Sequence, residues 1–384
     1  MNHFMVVHGL VFSIMKNIFS LLFAILFSCT VMAQMPADGY YRIRNVGSTR
    51  YLTVKDNKGS IDVSSTSADL GAVELYKKFT SVVSDPGSVL YIDNVNSTNY
   101  KFIAQGTDTY EIIGYYLKLK SNSDGSYKAY QEKSMMVMYL CDAEKGTFNK
   151  GALGTNDKGT NYRDWNFLPM DVNGENYFGL TPEVTSGSDY YASFYASFPF
   201  TTVSAGMKVY YICKVDGDKA VYKEVEGNAV PGGMPIFVKC SSADATDNRV
   251  DIAANGANLP TDNQLGGVYF CNTTNAHKNV TPYNAQTMRV LGITSTGELG
   301  YVKTNITNLP ANKSYLKVPA GSPDELTLIS YDDYITAIEE VVESDEVDYS
   351  AVYNLRGIKV ATSEDEYNAL PSGIYIINGV KVRK

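Results

Sequence analysis

Short runs in which apolar and polar residues alternate recur along most of the chain, broken by Gly, Asn, Asp and Ser, and long helical periodicity is scarce. The clearest is "YYLKLKSNSDGSYKAY", residues 115–130, where two period-two runs flank a Ser-Asp-Gly-Ser turn. Alternation with a glycine turn predicts a β-hairpin with one face inward. A second hairpin is predicted in "MKVYYICKVDGDKAVYKEVEGNAV", residues 207–230, about its Val-Asp-Gly-Asp turn. Further strands are expected in "MPIFVKC", "GGVYFCN", "QTMRVLGIT", "LGYVKT", "KSYLKV" and "ELTLIS". Turn residues at such short spacing predict an all-β chain, and 384 residues exceed what one core of about 250 serves.

A repeat stands out before residue 180. "IRNVGSTRY" (43–51) and "IDNVNSTNY" (92–100) share six residues, and "LCDAEKGTF" (140–148) is a weaker third copy. Ile43, Ile92 and Leu140 are therefore expected at equivalent, buried places of a closed threefold body, since each unit alone cannot bury its apolar face. A β-trefoil fits over residues 34–180. A β-sandwich is expected over 187–330, an acidic linker over 331–349, and a small β unit over 350–384. Between Tyr331 and Leu355 stand eight acids and no Lys or Arg, a composition that favours an extended or only partly helical tether.

The N-terminus reads differently. Residues 1–33 carry no Asp or Glu, and "IFSLLFAILF" follows Lys16 and leads into "SCTVMAQ". That is a secretory signal with cleavage expected between Ala33 and Gln34, and the start is expected at Met15, since the signal is complete from there. A transmembrane helix is the rival reading, disfavoured because Lys16 and Asn17 split the roughly 20 apolar residues it needs. Lipidation of Cys29 in "LFSC" is another, with Phe27 a poor fit. Losing residues 1–33 removes one lysine and no acid, which takes the net charge from −8 to −9. Nucleic acid is not an expected partner of so acidic a chain.

Chemistry is sparse. Cys141, Cys213, Cys240 and Cys271 remain after cleavage, without a metal-binding spacing; secretion permits disulfides, and sequence leaves their pairing open. The acidic turn "KDNKGSID" lacks the residue order of a calcium loop. His277 is the only histidine beyond the signal, so a Ser-His-Asp or Cys-His mechanism would have to pass through it. A pair of carboxylates for glycoside hydrolysis is available in principle. With no convergent set of roles, neither an enzyme nor a cofactor is expected.

Three resemblances follow from these stretches. "DGYYRIRNVGSTRYLTV" and "DWNFLPM" make residues 36–180 resemble the ricin-type β-trefoil modules of secreted Bacteroidetes proteins. In that family a Gln-x-Trp motif marks the sugar-binding repeats; the corresponding place here reads Arg163, Asp164, Trp165, and only once. The resemblance implies a glycan or glycoprotein ligand, with Tyr41, Tyr51, Tyr100 and Trp165 as candidate ring-stacking residues; packing of Trp165 in the core is the alternative. The run from "YYASFYASFPF" to "KSYLKVP" looks like a β module of Bacteroidales surface proteins, which implies no catalytic residues. The ending "LPSGIYIINGVKVRK" resembles the sorting domain of type IX secretion, matched at Leu370, Gly373, Tyr375, Lys381 and Lys384, though about half the usual length. It implies a secreted or cell-surface address and the export machinery as a partner. A binding protein, a structural surface component without a small ligand, and more distantly a Kunitz-type protease inhibitor remain as functional readings.

Overall fold

The computed structural model describes residues 35–56, 73–105, 116–133, 136–142, 152–154, 160–253, 256–271, 273, 279–339, 349–377 and 379–384. It is all-β with two short α-helices among the described residues.

The first unit contains β1 (Gly39–Asn45), β2 (Tyr51–Val54), β3 (Val73–Tyr76), β4 (Leu90–Asn94), β5 (Asn99–Ile103), β6 (Leu117–Ser121), β7 (Tyr127–Lys133), β8 (Met136–Cys141), β9 (Ala152–Gly154) and β10 (Asp164–Pro169). Six of them close a ring in which β1 pairs with β4, β4 with β5, β5 with β6, β6 with β7, β7 with β10, and β10 with β1. β2 with β3, and β8 with β9, form hairpins attached to it. This is the β-trefoil topology. Because side chains alternate across a strand, each barrel strand sends two inward: Tyr41 and Ile43, Leu90 and Ile92, Tyr100 and Phe102, Leu117 and Leu119, Tyr127 and Ala129, Trp165 and Phe167.

Register reveals the threefold relation. Ile92 faces Phe102, Leu119 faces Ala129, and Phe167 faces Ile43 between repeats. Within repeats Tyr41 faces Leu90, Tyr100 faces Leu117, and Tyr127 faces Trp165. The expected equivalence is therefore corrected. Ile43, Ile92 and Leu140 all lie fully buried in one core, but on β1, β4 and β8, which are not equivalent strands. The similar words mark turns at different places: "IRNVGSTRY" joins β1 to β2, "IDNVNSTNY" joins β4 to β5. True equivalents such as Ile43, Phe102 and Ala129 are unevenly spaced because the connections between barrel strands differ in length.

The second unit contains β11 (Phe178–Gly179), β12 (Val184–Ser186), β13 (Asp189–Phe194), β14 (Phe200–Thr202), β15 (Lys208–Asp216), β16 (Lys219–Glu224), β17 (Ala229–Val230), β18 (Ile236–Cys240), β19 (Arg249–Asp251), β20 (Leu265–Val268), β21 (Met288–Ile293), β22 (Leu299–Val302), β23 (Lys313–Lys317) and β24 (Glu325–Ser330). Ten of these form one mixed sheet in the order β12-β13-β18-β15-β16-β24-β22-β21-β23-β20, and four form a small sheet, β11-β19-β14-β17. The sandwich has a third layer. Strands β13, β15 and β18 are buried on both faces: Phe194, Val209, Ile236 and Val238 point to one core with Phe178 and Phe200 of the small sheet. On their other face Ile212 and Phe237 meet Tyr301, Leu316 and Leu326. Since β11 belongs to the small sheet, this unit begins before residue 180.

The two units interlock. Phe270 of the second packs in the trefoil core, while Val89 of the trefoil packs in the second unit's core. Arg42, on the outer face of β1, is fully buried at this junction. Its Nε donates to Ser88 Oγ at 3.0 Å, Nη1 to Asn176 Oδ1 at 2.9 Å and Tyr177 O at 2.7 Å, and Nη2 to Val82 O at 2.9 Å and Val83 O at 3.1 Å. Desolvation pulls its guanidinium down to about 10, which leaves it charged at neutral pH.

The acidic stretch, expected to be extended or only partly helical, begins as a docked helix. Tyr331–Glu339 form α1, with Lys223 over the Tyr331 ring at 4.5 Å and Lys214 over Tyr334 at 4.7 Å. The lysines of β15 and β16 thus offer a docking surface that reading the tether alone did not provide. The terminal unit holds β25 (Val352–Asn354), β26 (Lys359–Ala361), α2 (Glu364–Ala369), β27 (Ile374–Ile377) and β28 (Val380–Arg383), with Val352, Ala361, Tyr367, Tyr375 and Ile377 as its own small core.

Candidate functional site

The four aromatic residues singled out from sequence do not form a site. Trp165 is 0% exposed and its Nε1 donates to Leu140 O at 2.9 Å; Tyr100 is 1% and Tyr51 8% exposed. Tyr41 is half-buried against the same core, and its hydroxyl donates to Ala37 O at 2.9 Å. Burial raises the pKa of Tyr41 and Tyr100, with the neighbouring Tyr127 and Asp38 adding to the shift. Trp165, Tyr100 and Tyr41 have their rings against the barrel core, and the Tyr51 ring lies between Phe79 and Arg44, so none offers a free face to stack on a sugar. Ala33, Gln34, Cys29 and His277 lie outside the described residues, as does most of "KDNKGSID".

No disulfide joins Cys141, Cys213, Cys240 and Cys271; burial pushes the Cys240 thiol up to about 12 and raises those of Cys213 and Cys271, which removes thiolate character. Among the described residues no group of three or more His, Cys, Asp or Glu could hold a metal ion, and no helix is long and apolar enough to cross a membrane.

In the terminal unit the matched residues serve closure. Tyr375 is buried with its hydroxyl donating to Pro371 O at 2.7 Å, Leu370 packs on the same core, and Gly373 and Lys384 exchange both backbone hydrogen bonds. Lys384 Nζ donates to Asn368 O at 2.6 Å and to Leu370 O. Lys381 stands apart, exposed on β28 opposite Ile376.

What sequence reasoning missed is a groove of about 700 Å³ between the trefoil and the second unit. Its trefoil wall is Lys55, just after β2, and residues 80–86. Asp85 shapes that wall: Oδ1 accepts from Gly87 N at 2.9 Å, capping a 3-10 turn over Pro86–Ser88, while Oδ2 holds Lys55 Nζ at 2.6 Å. Gly87 is needed there, because a Cβ would lie 2.3 Å from Val54 O. The opposite wall comes from residues 180–181, 192–194, 243–246 and 311–313. Lys313 pairs with Glu183, whose Oε1 also accepts from Ser193 N at 2.9 Å and from Ser193 Oγ. Asn312 takes a left-handed conformation, φ 59°, and its Nδ2 reaches Tyr195 O at 3.1 Å and Gln105 of the trefoil. Across the groove Thr181 Oγ1 donates to Ser84 Oγ at 2.7 Å.

Both lysines are thus neutralised locally, and the surface presents hydroxyls and polar groups held in place beside the apolar side chains of Val83, Pro86, Leu180 and Phe194. It can exchange hydrogen bonds with a polar ligand. Lys55 follows β2 and Lys313 opens the strand expected in "KSYLKV", but only tertiary packing brings them to one groove, so no local signal could have paired them.

No protein-family model matches the chain, and no curated protein matches it. Among solved structures, it is similar to a mosquitocidal holotoxin at 12% identity and TM-score 0.27, over 73% of this chain and 40% of that one. The chain thus spans about two fifths of that toxin's length. A likeness at that level carries no argument about what this chain does.

Proposed function

We propose that the protein is a non-enzymatic, secreted or cell-surface binding protein that takes a glycan, or the sugar of a host glycoprotein, in the groove between its two large β units. The observation that carries this reading is the groove itself: about 700 Å³, within the range of small-ligand sites, with hydroxyl, amide and paired ionic groups contributed by both walls. A sugar, with hydroxyls at its edges and C–H groups on its faces, matches a lining that mixes these polar groups with Val83, Pro86, Leu180 and Phe194. The ligand would be held by hydrogen bonds rather than by ring stacking, which is worth less per contact and implies modest affinity. Glycan-array binding of residues 34–333 is expected, and Thr181→Trp, an exposed position on the rim, should lose at least tenfold in affinity while the loss of its exposed hydrogen bond to Ser84 lowers the melting temperature only slightly. Absence of any retained glycan, or equal binding by the variant, removes this reading.

A structural surface component is the second reading, favoured by the shared cores of the two units, which suit a rigid spacer. The address is proposed from the signal and the tail: export through the terminal unit to the cell exterior. Deleting residues 350–384 should leave the melting temperature of residues 34–333 almost unchanged, because the terminal unit has its own core and α1 lies upstream of the cut. The same deletion should retain the protein in the periplasm. A large loss of stability with surface display intact would overturn the proposed role of the tail.

A further inference from the structure

At the turn between β6 and β7 three side chains meet that the proposed binding function does not use. Asn122 follows β6, Lys128 stands in β7, and Asp164 opens β10 directly opposite Lys128 in the barrel ladder. Lys128 Nζ lies 2.9 Å from Asn122 Oδ1 and 2.9 Å from Asp164 Oδ1. Asn122 Nδ2 donates to the same Asp164 Oδ1 at 2.9 Å and to Ser126 Oγ at 2.8 Å. One carboxylate oxygen therefore touches both the amine and the amide nitrogen. The lysine and aspartate side chains are only 24% and 11% exposed, so the three are held together rather than drifting in solvent.

We propose that Lys128 and Asn122 form an intramolecular isopeptide bond, with Asp164 as the proton carrier. Asp164 accepts a proton from the Lys128 ammonium, and the freed amine pair attacks Cγ of Asn122. The new C–N bond forms as the carbonyl pair moves onto Oδ1, 2.9 Å from Nζ before the attack. Asp164 passes its proton to Nδ2 and then takes the surplus proton from Nζ. The Cγ–Nδ2 bond breaks, ammonia leaves with that last proton as ammonium, and the amide is restored between the two side chains. No oxidant or cofactor enters the balance. Holding the three groups within hydrogen-bond distance supplies the proximity that makes an unactivated amide reactive. The bond would staple the β6–β7 turn, which closes the second repeat to the third, and so constrain the unfolded chain.

Tryptic digestion of the purified full chain followed by tandem mass spectrometry tests this. A blocked Lys128 cannot be cleaved, so the expected fragment is residues 121–133, uncut and lighter by one ammonia. Asp164→Asn should restore cleavage after Lys128 and the full mass. Release of residues 121–128 from the unsubstituted protein overturns the proposal, even if that fragment is lighter by one ammonia, since a succinimide at Asn122 loses the same mass but leaves Lys128 open to trypsin. The same cross-link in Asp164→Asn would overturn the role given to Asp164. Reading fragments rather than the intact mass also keeps cyclisation of an N-terminal Gln34 out of the result.

Discussion

Replacing Arg42 by alanine should cost on the order of 3–5 kcal/mol of stability, read as a lower midpoint in denaturant unfolding. The guanidinium satisfies three backbone carbonyls, of Val82, Val83 and Tyr177, and two side chains, Ser88 and Asn176. Val82 O keeps Asp85 N and Ser88 Oγ as donors and Val83 O keeps Gly179 N, so the loss combines an orphaned Tyr177 O, at about 1–3 kcal/mol, with the cavity left by a fully buried side chain. Desolvation depresses the Arg42 pKa to about 10, so a burial penalty is present at every pH below that, and the five hydrogen bonds must offset it. Arg42→Lys should not rescue the loss, because one ammonium carries three donors on a flexible stem and cannot span five acceptors in a planar fork. The acceptors belong to the 3-10 turns of the trefoil and to the segment entering the second unit, so the effect should appear in both units together. A loss below about 1 kcal/mol would show that water fills the site and that Arg42 does not tie the units.

Much of this architecture was legible because strand formation is local. The Ser-Asp-Gly-Ser and Val-Asp-Gly-Asp turns lie where alternation placed them, joining β6 to β7 and β15 to β16, with Gly125 and Gly217 at positive φ. The closed trefoil was also expected, but the register and strand assignment within it, set by partners distant in sequence, were not. The repeat words near Ile43 and Ile92 encode similar turns, in which Asn45 Oδ1 accepts from Ser48 N and Asn94 Oδ1 from Ser97 N, and turn chemistry is set by a few residues whatever strands they join. The threefold positions of Tyr41, Tyr100 and Tyr127 carry a clearer signal, the same residue at the same level of three barrel strands, but unequal connections hide it from a search at fixed period. The third layer of the second unit was likewise invisible, because two-residue strands such as β11 and β17 leave no periodicity to read. The docked α1 shows a different limit: Tyr331 and Tyr334 find lysines on β15 and β16, which acidic composition around them could not indicate.

Trp165→Ala should be comparably severe, at about 3–5 kcal/mol for truncating a fully buried aromatic, with a further loss because Leu140 O would be left without the indole donor. Its place explains the size: it faces Tyr127 across β7 and β10 and Asn45 across β10 and β1, where the barrel closes on itself. Trp165→Phe keeps most of the volume and should cost less, so the difference between the two variants separates packing from the lost hydrogen bond. This residue is also the only tryptophan in the chain, which makes its fluorescence a direct report on the trefoil. Unfolding should shift the emission to longer wavelength as the ring enters water, while saturating concentrations of a bound sugar should leave it in place. A ligand-induced shift in the folded protein, together with loss of binding in Trp165→Phe at unchanged stability, would return the sugar site to this ring and away from the groove. Retained binding in Trp165→Phe with loss in Thr181→Trp is the pattern expected when the tryptophan holds the barrel and the groove between the two units holds the ligand.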